Sequence, residues 1–189
     1  MTLSGDPGEA ALLVRAVRGD EQAFAQLVTR HKASLYGYIR RFVGNAEDAQ
    51  DLLQQTFLSA WLAIERFDPE RPPGAWLRTI ARNKCRDHGR KALGRRLLKF
   101  ADWGRAAEQV VDTRATPEER WIDDEGLGAV DRAVASLPRA LKEPLLLTAF
   151  EGLSQAEAAQ ELGISVKSVE TRLYRARRRL ADTLKLEGH

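Results

Sequence analysis

Apolar residues recur along this chain at three- and four-residue spacing, and the strict alternation of a half-buried strand is nearly absent. The pattern predicts a helix over Glu9–Arg18, broken at Gly19-Asp20, and a second over Glu21–Val43. Phe24, Leu27, Val28, Leu35, Ile39 and Phe42 form the stripe of that second helix, and Gly44 suits the position after its end. Asn45 is placed to cap a third helix running to Arg66, whose first turn sets Glu47 and Asp48 against the helix dipole. Pro69, Pro72 and Pro73 mark a loop over Phe67–Gly74, and Pro73 opens a fourth helix over Ala75–Leu93. After an irregular stretch, helices are expected near Glu118–Ser136, Arg139–Glu151, Ser154–Leu162 and Ser165–Leu186. The expected fold is all-α: two small helical domains, 1–99 and 127–189, joined by a flexible linker over 100–126.

Charge sharpens this division. Between Ala101 and Glu125 eight acids face three bases, with Gly104 and Pro117 interrupting any helix, so the segment reads as an acidic linker with helix resuming near Pro117. The whole chain of 189 residues carries a net charge of only +3, and 43% of it is hydrophobic, enough for packed cores. A single cysteine, Cys85, excludes an intramolecular disulfide. Met1–Gly8 has neither the basic nor the apolar part of a signal peptide, and no apolar run nears the roughly 20 residues of a membrane span. A soluble cytoplasmic protein is expected.

The C-terminal block carries a helix-turn-helix. Ser154-Gln155-Ala156-Glu157 is a capping-box sequence, and Ala156, Ala158 and Ala159 permit close approach of a second helix. Leu162-Gly163-Ile164 makes the turn, Ser165 caps the next helix, and Ile164, Val169, Leu173 and Leu180 can pack inward. Lys167, Ser168, Glu170, Thr171, Arg172, Arg175, Arg178 and Arg179 then remain for DNA, as on a recognition helix held in the major groove by its apolar side. A plain helical hairpin with a solvated basic face is the competing reading.

A second basic patch spans Trp76–Lys99, where nine bases face one acid, Asp87, with Trp76, Asn83 and His88 interleaved. Bases track phosphates while rings and amides meet unpaired bases. The preceding helix has the opposite character, presenting Glu47, Asp48, Asp51, Gln54 and Gln55. Adjacent helices of opposite charge suit two different partners, a basic protein surface and nucleic acid.

These residues carry a resemblance. Asn45–Trp61 resembles the core-polymerase-binding helix of bacterial sigma factors, Ala75–Asn83 resembles the start of their promoter-melting helix, and Leu137–Leu180 resembles their minus-thirty-five-reading domain. Three motifs in this order, with this length, resemble the extracytoplasmic-function group of the sigma-70 superfamily. The resemblance implies that Asp48, Asp51, Gln54 and Gln55 contact the clamp coiled coil of core RNA polymerase, while Phe57 and Trp61 pack the domain core. It implies that Phe67, Arg71, Trp76, Arg78, Arg82, Asn83, Lys84, Arg86 and Arg90 capture and melt the minus-ten element, with a base flipped into a pocket near the loop. Lys167, Ser168, Glu170, Thr171, Arg172, Arg175, Arg178 and Arg179 would read or hold the minus-thirty-five element. The acidic linker would thread toward the polymerase channels. Core polymerase (clamp and flap), promoter DNA and an anti-sigma factor are the implied partners, with no small-molecule substrate, cofactor or metal.

Two positions depart from that pattern. Gln55 stands where many relatives have Glu. Glu170 stands where many have a base; its carboxylate could accept from cytosine N4 or orient Arg172 or Arg175. The alternative functions are a free-standing helix-turn-helix regulator, which needs neither the acidic nor the melting-type helix, and an enzyme. Against the latter, His31, His88 and His189 are scattered, Cys85 with His88 is at best half a metal site, and no phosphate-binding glycine loop or nucleophile motif occurs.

Overall fold

The computed structural model describes residues 7–68, 71–101 and 128–187. The expected linker, and the resumption of helix near Pro117, lie outside these residues. Among the described residues every regular element is helical. They are α1 (Pro7–Val17), α2 (Glu21–Val43), α3 (Ala46–Leu62), a 3-10 turn (Ile64–Arg66), α4 (Pro73–Ala101), α5 (Ala129–Ser136), α6 (Arg139–Leu145), α7 (Gln155–Leu162) and α8 (Val166–Glu187).

Local chemistry sets most boundaries. Asp20 accepts from the Ala23 amide and starts α2, and Gly44, at φ 81°, ends it by returning its amide to the Arg40 carbonyl. The Asn45 side chain then accepts from the Asp48 amide and starts α3. Three boundaries differ from expectation. The third helix stops at Leu62, and the chain tightens into the 3-10 turn, whose Ile64 is buried beside α1. The fourth begins at Pro73, where a missing amide costs nothing, and runs on to Ala101. The helix begun at Arg139 contains Pro144, and beyond Leu145 it widens into a π-type turn over Leu146–Phe150. A proline cannot donate to the preceding turn, so a change of winding there keeps the other amides bonded.

The N-terminal half packs α2, α3 and α4 against one another, with α1 across α2. Leu12, Leu13, Ala16, Ala23, Leu27, Ile64 and Phe67 form a small cluster under α1. In the C-terminal half α8 is the central element, against α5, α6 and α7. The two halves also share a core: Leu35, Tyr38, Ile39, Leu77, Ala81 and Cys85 belong to the same buried cluster as Val134, Leu146, Leu147, Val169 and Leu173. Gly44 lies where an added Cβ would come within 3.0 Å of the Ala135 Cβ, so its lack of a side chain serves both the αL end of α2 and this close approach.

Candidate nucleic-acid interfaces

The helix-turn-helix is built from α7 and α8. The Ser154 hydroxyl accepts from the Glu157 amide at 3.2 Å and the Glu157 carboxylate accepts from the Ser154 amide at 2.8 Å, completing the capping box. These bonds hold the Glu157 carboxyl below its ordinary pKa. Gly163 takes φ 67° in the turn, and Ser165 accepts from the Ser168 amide at the head of α8. Ala158 and Ala159 are buried against α8, whose Val169, Leu173 and Ala176 are also buried. Ile164 and Leu180 are partly buried against the same core.

That stripe turns the other face of α8 outward. Lys167, Glu170, Thr171, Arg175, Arg178 and Arg179 are exposed, and Ser168 and Arg172 half-exposed. Glu170 pairs with Lys167 at 3.1 Å, one turn back, rather than with Arg172 or Arg175. Such an exposed pair contributes little stability, and Glu170 remains open to another partner. Farther along, Arg175, Arg178 and Arg179 line a cleft of about 460 Å³ with Pro138, Leu141 and Asp182.

Helix α4 sorts its residues by turn. Leu77, Ala81 and Cys85 face the core. Asn83, Asp87 and Arg90 are exposed, with Arg90 bonded to Asp87, and Lys84 is half-exposed. Arg78, Arg82 and Arg86, one helical turn apart, point at the C-terminal half. Arg78 lies 3.5 Å from both Glu151 and Glu161, Arg82 lies 3.2 Å from Glu161, and Arg86 clasps Glu143 with two nitrogens, its Nε at 2.6 Å. The clasp raises the Arg86 pKa. Glu151 is raised from its usual range because its removal from water outweighs the nearby Arg78.

The loop residues divide. Phe67 is buried and meets Trp76 edge-on at 5.0 Å, so the two rings pack each other beneath the loop. Arg71 is exposed and, with Ala10, Leu13, Val14, Phe67 and Pro73, lines a cleft of about 290 Å³. On α3, Asp51, Gln54 and Gln55 are exposed and Asp48 is half-exposed, 3.4 Å from His88. Phe57 is half-buried against the main core and the Trp61 ring packs on Phe24 at a tilt, with centroids 4.9 Å apart. Among the described residues, no three His, Cys, Asp or Glu side chains gather as a metal site.

Sequence reasoning missed several residues. Leu58 and Leu62 prolong the α3 stripe beyond Gln55 at 60% and 76% exposure. Lys142 is buried between the halves, donating at 2.6 Å both to the Phe42 carbonyl of α2 and to the Ala135 carbonyl of α5. Burial lowers its pKa to about 8. The signal for Lys142 and Glu143 was two charges set inside the apolar run from Leu141 to Leu147.

Residues 27–95 match the family described as Sigma-70 region 2, and residues 127–180 match Sigma-70, region 4. The chain belongs to the sigma-70 family. As a sigma factor it serves promoter recognition in transcription initiation, within the extracytoplasmic-function group. It is 37% identical to the RNA polymerase sigma factor CnrH of Cupriavidus metallidurans, over 96% of this chain and 97% of that one. It is 30% identical to the ECF RNA polymerase sigma factor SigW of Bacillus subtilis, over 89% and 92%. The solved structure of CnrH in complex with the cytosolic domain of CnrY superposes with a TM-score of 0.66 at 34% identity, covering 95% of this chain and 98% of that one. That of the sigma factor RpoE of Bartonella quintana with the anti-sigma factor NepR gives 0.65 at 25% identity, covering 86% and 96%. Region 2 thus covers α3 and most of α4, and region 4 covers the helix-turn-helix.

Proposed function

We propose that this sigma factor grips its promoter at two places and core polymerase at a third, in the following assignment. The carrying observation is the outward basic face of α8, fixed by a capped, glycine-turned helix pair. Lys167, Ser168, Glu170, Thr171, Arg172 and Arg175 read the minus-thirty-five duplex, and Arg178 and Arg179 hold phosphates beside it. Glu170 accepts from a cytosine N4 in that element, a reading favoured by its exposure and by its pairing with Lys167 rather than with Arg172 or Arg175.

Helix α4 and the loop before it take the minus-ten element through Arg71, Arg78, Arg82, Asn83, Lys84, Arg86 and Arg90. Phe67 and Trp76 shape the loop from beneath. The α3 face of Asp48, Asp51, Gln54 and Gln55, prolonged by the exposed Leu58 and Leu62, docks on the polymerase clamp. Large apolar side chains this exposed at helical spacing suit a protein partner. The domain limits are 1–99, 100–126 and 127–189.

The chain works in the cytoplasm, where polymerase and promoter are, and performs no catalysis of its own. No helix among the described residues is long and apolar enough to cross a membrane. An anti-sigma factor is a further partner, as NepR is for the Bartonella quintana RpoE. Run-off transcription with core enzyme on genomic fragments tests the reading. New start sites sharing two spaced elements are expected; an unchanged transcript map overturns it.

A further inference from the structure

Helix α1 lies ahead of residues 27–95, the stretch that matches region 2, and it carries none of the residues assigned to DNA or polymerase. Yet it reaches both ends of the minus-ten loop. At the near end Phe67 is buried in the same small cluster as Leu12 and Leu13 of α1. At the far end Glu9 of α1 bonds His31 of α2, and both side chains are largely buried, at 14% and 19% exposure. The His31 ring lies against the first turn of α4. A Cβ added at Gly74 would come within 3.3 Å of its Cε1 and 3.5 Å of a guanidinium nitrogen of Arg78. Between these ends Arg71 lines the cleft of about 290 Å³ together with Ala10, Leu13 and Val14 of α1. Two of the arginines assigned to the minus-ten element, Arg71 and Arg78, thus stand beside α1 or the histidine it holds.

We propose that α1 is a positioning element of the minus-ten grip, with Glu9 and His31 as the latch that fixes where Arg71 and Arg78 stand. The proposal rests on the minus-ten assignment of those two arginines. A long side chain loses rotamer freedom when it grips a phosphate, so neighbours that limit its freedom beforehand strengthen the grip without touching DNA. Such support comes from packing and hydrogen bonds one layer behind the contact, which is where Glu9, Leu13 and His31 lie. Gly74 fits the same arrangement. It sits within α4, where a helical backbone makes no demand for glycine, and what a side chain there would meet is the His31 ring.

The test uses the full chain and a labelled random-sequence single-stranded DNA, titrated over a range of salt. His31→Leu keeps the bulk of the side chain and removes its bond to Glu9. It is expected to weaken strand binding roughly tenfold, the scale of one hydrogen bond to a charged group. It is also expected to lower the slope of log affinity against log salt by about 0.7, one phosphate contact on a single strand. His31→Gln, whose amide donates to Glu9 much as the ring nitrogen does, is expected to restore both. Gly74→Ala is expected to push the His31 ring aside and reproduce the loss, with helical content and Tm at or above wild type, because alanine favours a helix more than glycine does. Binding of core polymerase and of random-sequence duplex, which use α3 and α8, is expected to stay unchanged in all three variants.

Wild-type strand affinity and salt slope in either His31→Leu or Gly74→Ala overturn the positioning role. A loss in His31→Leu that polymerase and duplex binding share equally, with Tm lowered, also overturns it, since the latch then only holds the fold together. Arg71→Ala separates this failure from that of the minus-ten assignment. Unchanged strand affinity in Arg71→Ala refutes the assignment itself, whereas weakened binding there beside wild-type binding in His31→Leu refutes the latch alone.

Discussion

At the scale of single residues, Cys85 and Lys142 show how burial redirects chemistry. Cys85 is 1% exposed, and removal from water pushes its thiol up to about 12. The thiolate is the reactive form. An ordinary cysteine becomes largely thiolate as pH passes through about 8.5, but Cys85 stays a thiol throughout that range. We therefore expect the native chain to resist iodoacetamide between pH 7 and 9, and to react fully in denaturant, as followed by mass spectrometry. Native-state alkylation that rises tenfold per pH unit up to pH 8 would contradict this. The basic neighbours Lys84 and Arg86 do not activate it, because both point off the core-facing side of α4. Lys142, by contrast, was legible only as an oddity, a charge within an apolar run. Its two carbonyl partners come from α2 and α5, about 100 and 7 residues away. Lys142→Ala leaves both carbonyls buried and unpaired, a loss of roughly 2–6 kcal/mol at about 1–3 kcal/mol for each buried group. Urea unfolding measures it, and a loss under 1 kcal/mol would mean that water replaces the amine.

At the scale of elements, the helix-turn-helix was almost wholly legible. Its cap, its turn and its apolar stripe all lie between Ser154 and Glu187, and each acts locally. The outward set on α8 follows from the stripe by helical geometry alone. Arg172→Ala and Arg175→Ala are each expected to weaken binding of a duplex minus-thirty-five element about 5- to 150-fold, as the loss of one bidentate base contact at about 1–3 kcal/mol implies. Anisotropy titration against promoter duplex checks this, and unchanged affinity and base preference would remove these residues from the recognition surface. Helix α4 was legible only in part. The basic run was plain, but which bases face DNA and which face region 4 depends on where α4 meets Glu143 and Glu161, some 60 to 80 residues later. Phe67 differs for a similar reason: a loop aromatic looks available in sequence, yet α1 and Trp76 cover it.

At the scale of the whole molecule, opposite charge on neighbouring helices separates the partners. Asp48→Lys/Asp51→Lys is expected to abolish binding to core polymerase while leaving helical content and duplex DNA binding intact, since neither side chain is buried. Gel filtration with core enzyme, beside DNA titration of the same preparation, distinguishes this from misfolding, in which both would be lost. By itself the sequence determined the helical class, the order of the motifs, the caps at Asn45 and Ser154, and the outward basic face of α8. Each of these depends on residues within a turn or two, where spacing fixes geometry. Only the tertiary structure decided that the two halves share one core, that Lys142 bridges them, and that Arg78, Arg82 and Arg86 already hold carboxylates. Such pairings join residues far apart in the chain, and a charged side chain carries no local mark of which opposite charge it will meet.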